Sequence, residues 1–228
     1  MATTKSQRLG IMIILIVTVV GTIGSFAALI LTTKNQSDDA ARLQKVQSDY
    51  QAKVKVYQAQ KAAQADELSA KYYPTFSQFG SRVGVYDIES NNKTLQTQDL
   101  IVGDGEEVTD TTKFAAYYIL WLPRGTIQEQ SIDPASGKLK SPLAIDGLAT
   151  SSLIQGWKEG MKGMRLGGVR ELTIPSDKGY KEQGTKDQQG NEVIPPNTPL
   201  KFIVMAIPAA AEITPPTYPM ELFQGLGQ

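Results

Sequence analysis

The sequence predicts an α+β domain in which a sheet wraps around one short helix, preceded by a transmembrane helix and a long helical stalk. Three observations carry this. Residues Leu9–Thr32 are uncharged, and residues 36–73 contain neither Pro nor Gly. Beyond Asp99 the texture becomes apolar runs separated by turn signals, with one helix-like segment among them. A few strands with a single helix bury their apolar faces best as a sheet packed on that helix.

Composition narrows the chemistry. Lys+Arg and Asp+Glu both number 23 in 228 residues, so no net charge favours nucleic acid. There is no histidine and no cysteine. Thiol nucleophiles, disulfides, Cys/His zinc sites and Ser-His-Asp triads are therefore excluded. What remains is carboxylates, Lys, Ser/Thr, Tyr, Trp, backbone amides and shape.

Residues 1–8 form a short N-terminus with Lys5 and Arg8, followed by the apolar segment 9–32. A helix over that segment would run about 36 Å at ~1.5 Å per residue, enough to cross a hydrocarbon core of about 30 Å. A cleaved signal peptide is the rival, since Ser25-Phe26-Ala27 has the small-x-small form of a cleavage site. The apolar run continues through Leu31, which favours an uncleaved anchor. The basic N-terminal flank predicts a cytoplasmic N-terminus and an extracytoplasmic remainder at the cell membrane.

Residues 33–73 predict a helical stalk rich in Ala, Gln, Lys and Glu. Leu43, Val46, Tyr50, Val54 and Tyr57 make one apolar stripe. The stripe is a solvated stalk's packing face or, alternatively, the seam of a homodimer, although it lacks the heptads of a sustained coiled coil. Pro74 stops this helix, and residues 74–94 predict a connector with a strand over Arg82–Ile88. Residues 95–208 form the domain: Asp99–Val108 carries the turn signal Gly103-Asp104-Gly105 between apolar runs, strands are expected over Lys113–Leu122, Val169–Ile174 and Leu200–Ile207, and a helix over Ser152–Met164. Residues 209–228, with Pro215, Pro216 and Pro219, predict a flexible tail.

No acid–base or metal constellation stands out in the domain. Glu106 and Glu107 are adjacent in an extended run, so they point to opposite faces. The Asp187–Glu192 loop lacks the alternating oxygens of a calcium loop. An apolar-aromatic group stands out instead, with Trp157 following Ile154 by one turn. Gly156 and Gly160 lighten the helix beside Trp157, which suggests close approach of a ligand or another chain over a pocket floor.

These residues carry a resemblance. The runs LIQGWKEGMKGMRLGGVRELTIPSDKGY and VIPPNTPLKFIVMAI closely resemble the FKBP-type peptidyl-prolyl isomerases, and DLIVGDGEEV resembles that family's opening strand. The likeness covers about Leu95 to Ile207. It implies a twisted antiparallel sheet wrapped around one short helix, with a pocket for a proline ring between them, Trp157 as floor and Leu153, Ile154, Tyr118 and Phe202 as walls. It further implies that the Ile154 N–H receives a substrate carbonyl, that the Tyr180 hydroxyl donates a second hydrogen bond, and that Ile194 forms an apolar lip.

The sequence departs from the family at definite places. Where the family reads Phe-Asp-Ser-Ser, this chain has Gln128-Glu129-Gln130-Ser131. Gln128 replaces an aromatic wall, and Glu129 keeps the charge one methylene longer. Leu143 and Ile145 stand where aromatics are common, and Lys181 rather than Gly follows Tyr180. The expected function is isomerisation of X-Pro bonds in extracytoplasmic client polypeptides, assisting their folding with no cofactor or metal. The expected partners are proline-containing chains and, through the N-terminal helix, membrane lipid, but not nucleic acid. The alternative is a catalytically weak or inactive module that binds a protein at the membrane surface.

Overall fold

A computed structural model describes residues 34–224, with side-chain surroundings from Ala40 to Phe223. The expected anchor over 9–32 lies outside the described residues. Among those residues no helix is long and apolar enough to cross a membrane. The described residues fall into two compact units, one built from residues 34–62 together with 213–224, the other from Ala63–Glu212.

Helix α1 spans Lys34–Phe76 and therefore contains Pro74. Proline lacks the N–H that would bond one turn back and its ring crowds that carbonyl, and the helix runs only two residues beyond it, to Phe76. In the first unit the apolar stripe is covered by the tail. Tyr50 is buried, with the Tyr218 ring edge-on at 5.2 Å and Phe223 against Tyr218 at 4.8 Å. Leu43, Val46, Val54 and Tyr57 are half-buried.

The second unit is built on a sheet whose main path runs β1 (Gln96–Ile101), β7 (Val169–Ile174), β10 (Leu200–Pro208), β2 (Lys113–Trp121), β3 (Ile127–Gln130). A further strand, β6 (Leu143–Asp146), shares the outer edge of β2 with β3: β3 pairs with residues 119–121, β6 with residues 113–116. Every pairing is antiparallel. Between β3 and β6 a small hairpin of β4 (Ile132–Asp133) and β5 (Lys138–Leu139) leaves the sheet. A second two-stranded piece, β8 (Thr185–Lys186) with β9 (Glu192–Ile194), lies in the long loop before β10.

Strand alternation gives this sheet two buried faces. Phe114, Ala116 and Leu120 of β2, with Phe202, Val204 and Ala206 of β10, pack against helix α3 (Gln155–Met161). The intervening Ala115, Tyr117, Ile119 and Trp121, with Ile203, Met205 and Ile207, form a separate cluster. That cluster is closed by Leu68, Tyr72 and Phe76 of α1 and by Phe79, Val83 and Tyr86. Full burial of Phe76 alone contributes about 1.5–3 kcal/mol.

Several expected boundaries change for this reason. Residues 74–94 are not a mere connector: they hold a 3₁₀ turn (Ser77–Arg82), a short helix α2 (Ile88–Asn91) and side chains packed on the sheet. No strand forms over Arg82–Ile88; only an isolated bridge joins Val85 to Arg124. Tyr86 instead fastens the segment by donating its hydroxyl to the Pro199 carbonyl at 2.8 Å and the Trp121 carbonyl at 3.2 Å. The opening strand occupies Gln96–Ile101 rather than Asp99–Val108, because Gly103 runs hard against the 165–168 turn; a Cβ there would lie 2.6 Å from the Arg165 carbonyl oxygen. The helix is shorter than Ser152–Met164, since Ile154 is extended (ψ 152°) ahead of it and Lys162 is extended (ψ 136°) after it.

Candidate functional site

The expected pocket residues converge on the α3 side of the sheet. Trp157 is 3% exposed and Phe202 4% exposed, so both are floor rather than rim. Their rings meet edge-on at 5.4 Å, and Tyr118 meets Trp157 edge-on at the same separation. Edge-to-face rings of this kind contribute about 0.5–1.5 kcal/mol each beyond their burial. Leu143, Leu153, Ile154 and Tyr180 pack half-buried around the three rings, and Ile194 is buried with them.

Helix α3 is placed by its glycines. Gly156 faces Ile174 and Gly160 faces Leu172, both on β7, and a Cβ on either would approach those side chains within 2.9 Å. The expectation that Gly156 admits a ligand or another chain is corrected here: the close neighbour is the sheet itself. The glycines let a seven-residue helix lie directly on β7, which turns Trp157 into the cluster. At the helix start the Ile154 carbonyl accepts from Trp157 N–H at 3.0 Å and Lys158 N–H at 3.3 Å. The Ile154 N–H lies one residue before the helix and donates to no group among the described residues. It is therefore available to an incoming carbonyl.

Arg170 grips the other end of α3, a feature the motif reading missed. Its Nη1 donates to the carbonyls of Gly160 (2.8 Å) and Lys162 (3.2 Å), while Nε and Nη2 reach the Asp99 carboxylate at 2.6 and 3.0 Å. The signal was strand parity: Arg170 shares its face with Leu172 and Ile174, so an inward charge there demands a partner.

The substituted wall lies on β3. In the β2–β3 ladder Trp121 faces Ile127 and Leu120 faces Glu129, leaving Gln128 as the extra residue of a bulge. Gln128 is half-buried, and its side chain makes no hydrogen bond among the described residues. Glu129 joins the aromatic group. Its carboxylate accepts from the Tyr118 hydroxyl and lies near Tyr180. Burial first, then Glu129, pushes both phenols above the ordinary tyrosine value. Both hydroxyls thus remain protonated donors at neutral pH.

Lys181 occupies the left-handed region (φ 55°). The backbone conformation suited to glycine is kept although glycine is not, and the Lys181 carbonyl accepts from Asn197 N–H at 2.7 Å. This ties the loop after Tyr180 to the segment before β10. Among the described residues no cluster of acidic side chains is placed to hold a metal ion.

An apolar cluster of three rings, an unpaired N–H beside it and two phenols that stay protonated thus lie together, in a chain with no histidine or cysteine. Comparison with known proteins agrees with the resemblance read from the sequence. The family model for FKBP-type peptidyl-prolyl cis-trans isomerase matches residues 105–207. An FK506-binding protein of Neisseria meningitidis serogroup A is 38% identical over 111 residues, covering 49% of this chain and 92% of the relative. A probable FK506-binding protein of Corynebacterium glutamicum is 33% identical over 92 residues, covering 40% and 71%. Among solved structures, AtFKBP13 is 30% identical with a TM-score of 0.44, covering 51% of this chain and 93% of its own. The chain belongs to the FKBP-type peptidyl-prolyl cis-trans isomerases.

Proposed function

We propose that this chain accelerates cis–trans isomerisation of X-Pro bonds in extracytoplasmic polypeptides while anchored in the membrane by Leu9–Thr32. The observation that carries the catalytic part is the Tyr118–Trp157–Phe202 cluster beside the free Ile154 N–H. Rotation about a peptide bond faces about 18–20 kcal/mol because resonance gives it partial double-bond character. A dry apolar floor disfavours the polar planar amide relative to its less polar twisted form. The Ile154 N–H holds the carbonyl of the bound segment, and the Tyr180 hydroxyl donates to a second acceptor as the amide turns. Leu153, Ile194 and Leu143 exclude water around the ring. Nothing is protonated or attacked, so a chain without His or Cys loses nothing. The rate gain comes from binding the twisted form better than the planar one.

Isomerisation by the full chain in detergent micelles tests this, using tetrapeptides that differ in the residue before proline. Catalysis should fall with both Trp157→Ala and Tyr180→Phe. A well-folded chain that adds nothing to the spontaneous rate would sink the proposal and favour the partner-binding alternative, toward which the replacement of an aromatic wall by Gln128 points. Protease protection in sealed vesicles tests the placement: the domain should be cleaved only from the extracytoplasmic side, on a chain that retains Met1.

A further inference from the structure

We propose that the last turns of α1 are part of the isomerase site: Ser69, assisted by Asp66, is a positioning residue that holds hairpin β4–β5 and, through it, the wall bearing Tyr118, Glu129 and Leu143. The inference rests on the isomerase reading of that site.

The topology creates the requirement. β3 and β6 lie end to end along one edge of β2, and the chain leaves the sheet between them. Glu129 sits on β3 just before the exit, and Leu143 begins β6 at the return. The excursion carries a ladder of two-residue strands closed by a turn on Asp133, and a hairpin that small is marginal by itself. Its fixity must come from what it packs on.

That support is α1. Ser69 is 4% exposed, and its Oγ accepts the Leu139 N–H at 2.8 Å. Leu139 is buried, and Ile132 packs beside it in the cluster containing Tyr72 and Phe76. Lys138 adds an ion pair to Asp66 at 2.8 Å, exposed enough on both sides to be the weaker tie. The root of the hairpin is knitted to the site. Lys140 N–H donates to the Ser131 carbonyl at 2.8 Å, Ser131 N–H to the Tyr118 carbonyl at 2.8 Å, and Tyr118 N–H to Ser131 Oγ at 2.9 Å. The Tyr118 backbone is thus held by the same excursion that α1 holds. Removing the Ser69 hydroxyl strands a buried N–H and frees the hairpin from the helix. Because catalysis here depends on shape alone, a wall that wanders lowers turnover more than it lowers client binding.

The test uses the full chain in detergent micelles as Ser69→Ala, Asp66→Asn and Ser69→Thr, reading kcat and KM on a tetrapeptide and amide hydrogen exchange by mass spectrometry. Ser69→Ala should lose protection over residues 131–142 and over the flanking 127–130 and 143–146, but not over 153–174. Its kcat should fall about fivefold or more with KM little changed. Asp66→Asn should do the same more weakly, and Ser69→Thr, which keeps the hydroxyl, should restore both readouts. Loosening confined to 131–142 with kcat intact would overturn the proposal, as would uniform loss of protection across the domain. If the parent chain shows no catalysis the isomerase reading fails separately, and unchanged protection at 127–130 and 143–146 still overturns the positioning role.

Discussion

Gly156→Ala sets two physical effects of opposite sign against each other. On helix propensity alone alanine should stabilise α3 by about 1 kcal/mol. The structure predicts the reverse. A Cβ at Gly156 would lie 2.9 Å from both Cδ1 and Cγ1 of Ile174 and nearer still to its Cγ2. Ile174 is fully buried on the central part of the sheet, and its branched side chain has few rotamers to escape into. Restoring ordinary contact would require the helix to lift by roughly 1 Å, and overpacking of this kind costs about 1–3 kcal/mol. The net expectation is a destabilisation of up to about 2 kcal/mol after the propensity gain. Activity should fall further, because the lift displaces the Ile154 N–H and Trp157 together, and a 1 Å misplacement can cost about a hundredfold. Denaturant unfolding followed by tryptophan fluorescence reads the first quantity, since Trp121 and Trp157 both lie within Ala63–Glu212. Rates per folded molecule read the second. Ile174→Ala in the same chain should recover part of the activity by making room. A neutral or stabilised Gly156→Ala variant with the parent rate would refute the claim that close packing on β7 sets the helix position.

Other outcomes follow from the same contacts. Arg170→Met should cost about 3 kcal/mol, because two helix-end carbonyls and a partly exposed Asp99 lose their donors while the apolar stem is kept; a cost below 1 kcal/mol in chemical denaturation would contradict the clamp. Tyr117→Phe should stabilise by about 1 kcal/mol, since the Tyr117 hydroxyl is buried without a hydrogen-bond partner among the described residues, and a lower denaturation midpoint would refute this. Lys181→Gly should also stabilise, by about 1 kcal/mol, as the left-handed φ costs a residue with a Cβ that much. The pH dependence has a definite sign. Burial raises Tyr118 and pushes Tyr117 up to about 12, so each is protonated in the fold above the pH at which the unfolded chain ionises. Stability is full below about pH 10 and falls above it, by about 1.4 kcal/mol per pH unit for each such tyrosine. Tyr117→Phe should flatten that alkaline slope, which urea unfolding from pH 9 to 11 would show.

Much of the domain was legible because the relevant signals are local. Val169–Ile174 and Leu200–Pro208 carry enough apolar and β-branched residues to be read as strands without context. The Gly-Trp helix and the Ile-Pro-Pro-Asn turn placed Trp157, Ile154, Tyr180 and Phe202 around one site. What the sequence hid depends on the third dimension. Leu68, Tyr72 and Phe76 repeat at helical spacing after the stripe fades, but what they pack on are strands that come later in the chain, as with Tyr117 of β2 against Tyr72 and Phe76. Pro74 reads as a stop and disguises the continuity. The role of Gly156 could be inferred as close approach but not the identity of the neighbour, since Ile174 meets it only after β7 is folded against α3. Gln128 could not be read as a bulge residue, because a bulge is a property of two strands' register and appears in neither alone.

The two halves of the site have changed unequally, and the supports explain how a pocket can survive that. Noncovalent catalysis requires groups held in place more than it requires particular groups. The floor is fixed from below by Leu172 and Ile174 against two glycines, and from the helix end by Arg170. Tyr180 is fixed by a loop that keeps a left-handed turn at Lys181 even though glycine has gone. The wall that lost its aromatic residue has Glu129 on the Tyr118 hydroxyl and leads into a hairpin whose buried N–H is held by α1. Where side chains differ from the family, the backbone that presents them is tied down by residues remote from the motif. A soluble fragment begun at Leu95, where the motif begins, would therefore discard Ser69, Tyr72, Phe76 and Tyr86. It would expose the back of the same sheet whose front forms the site.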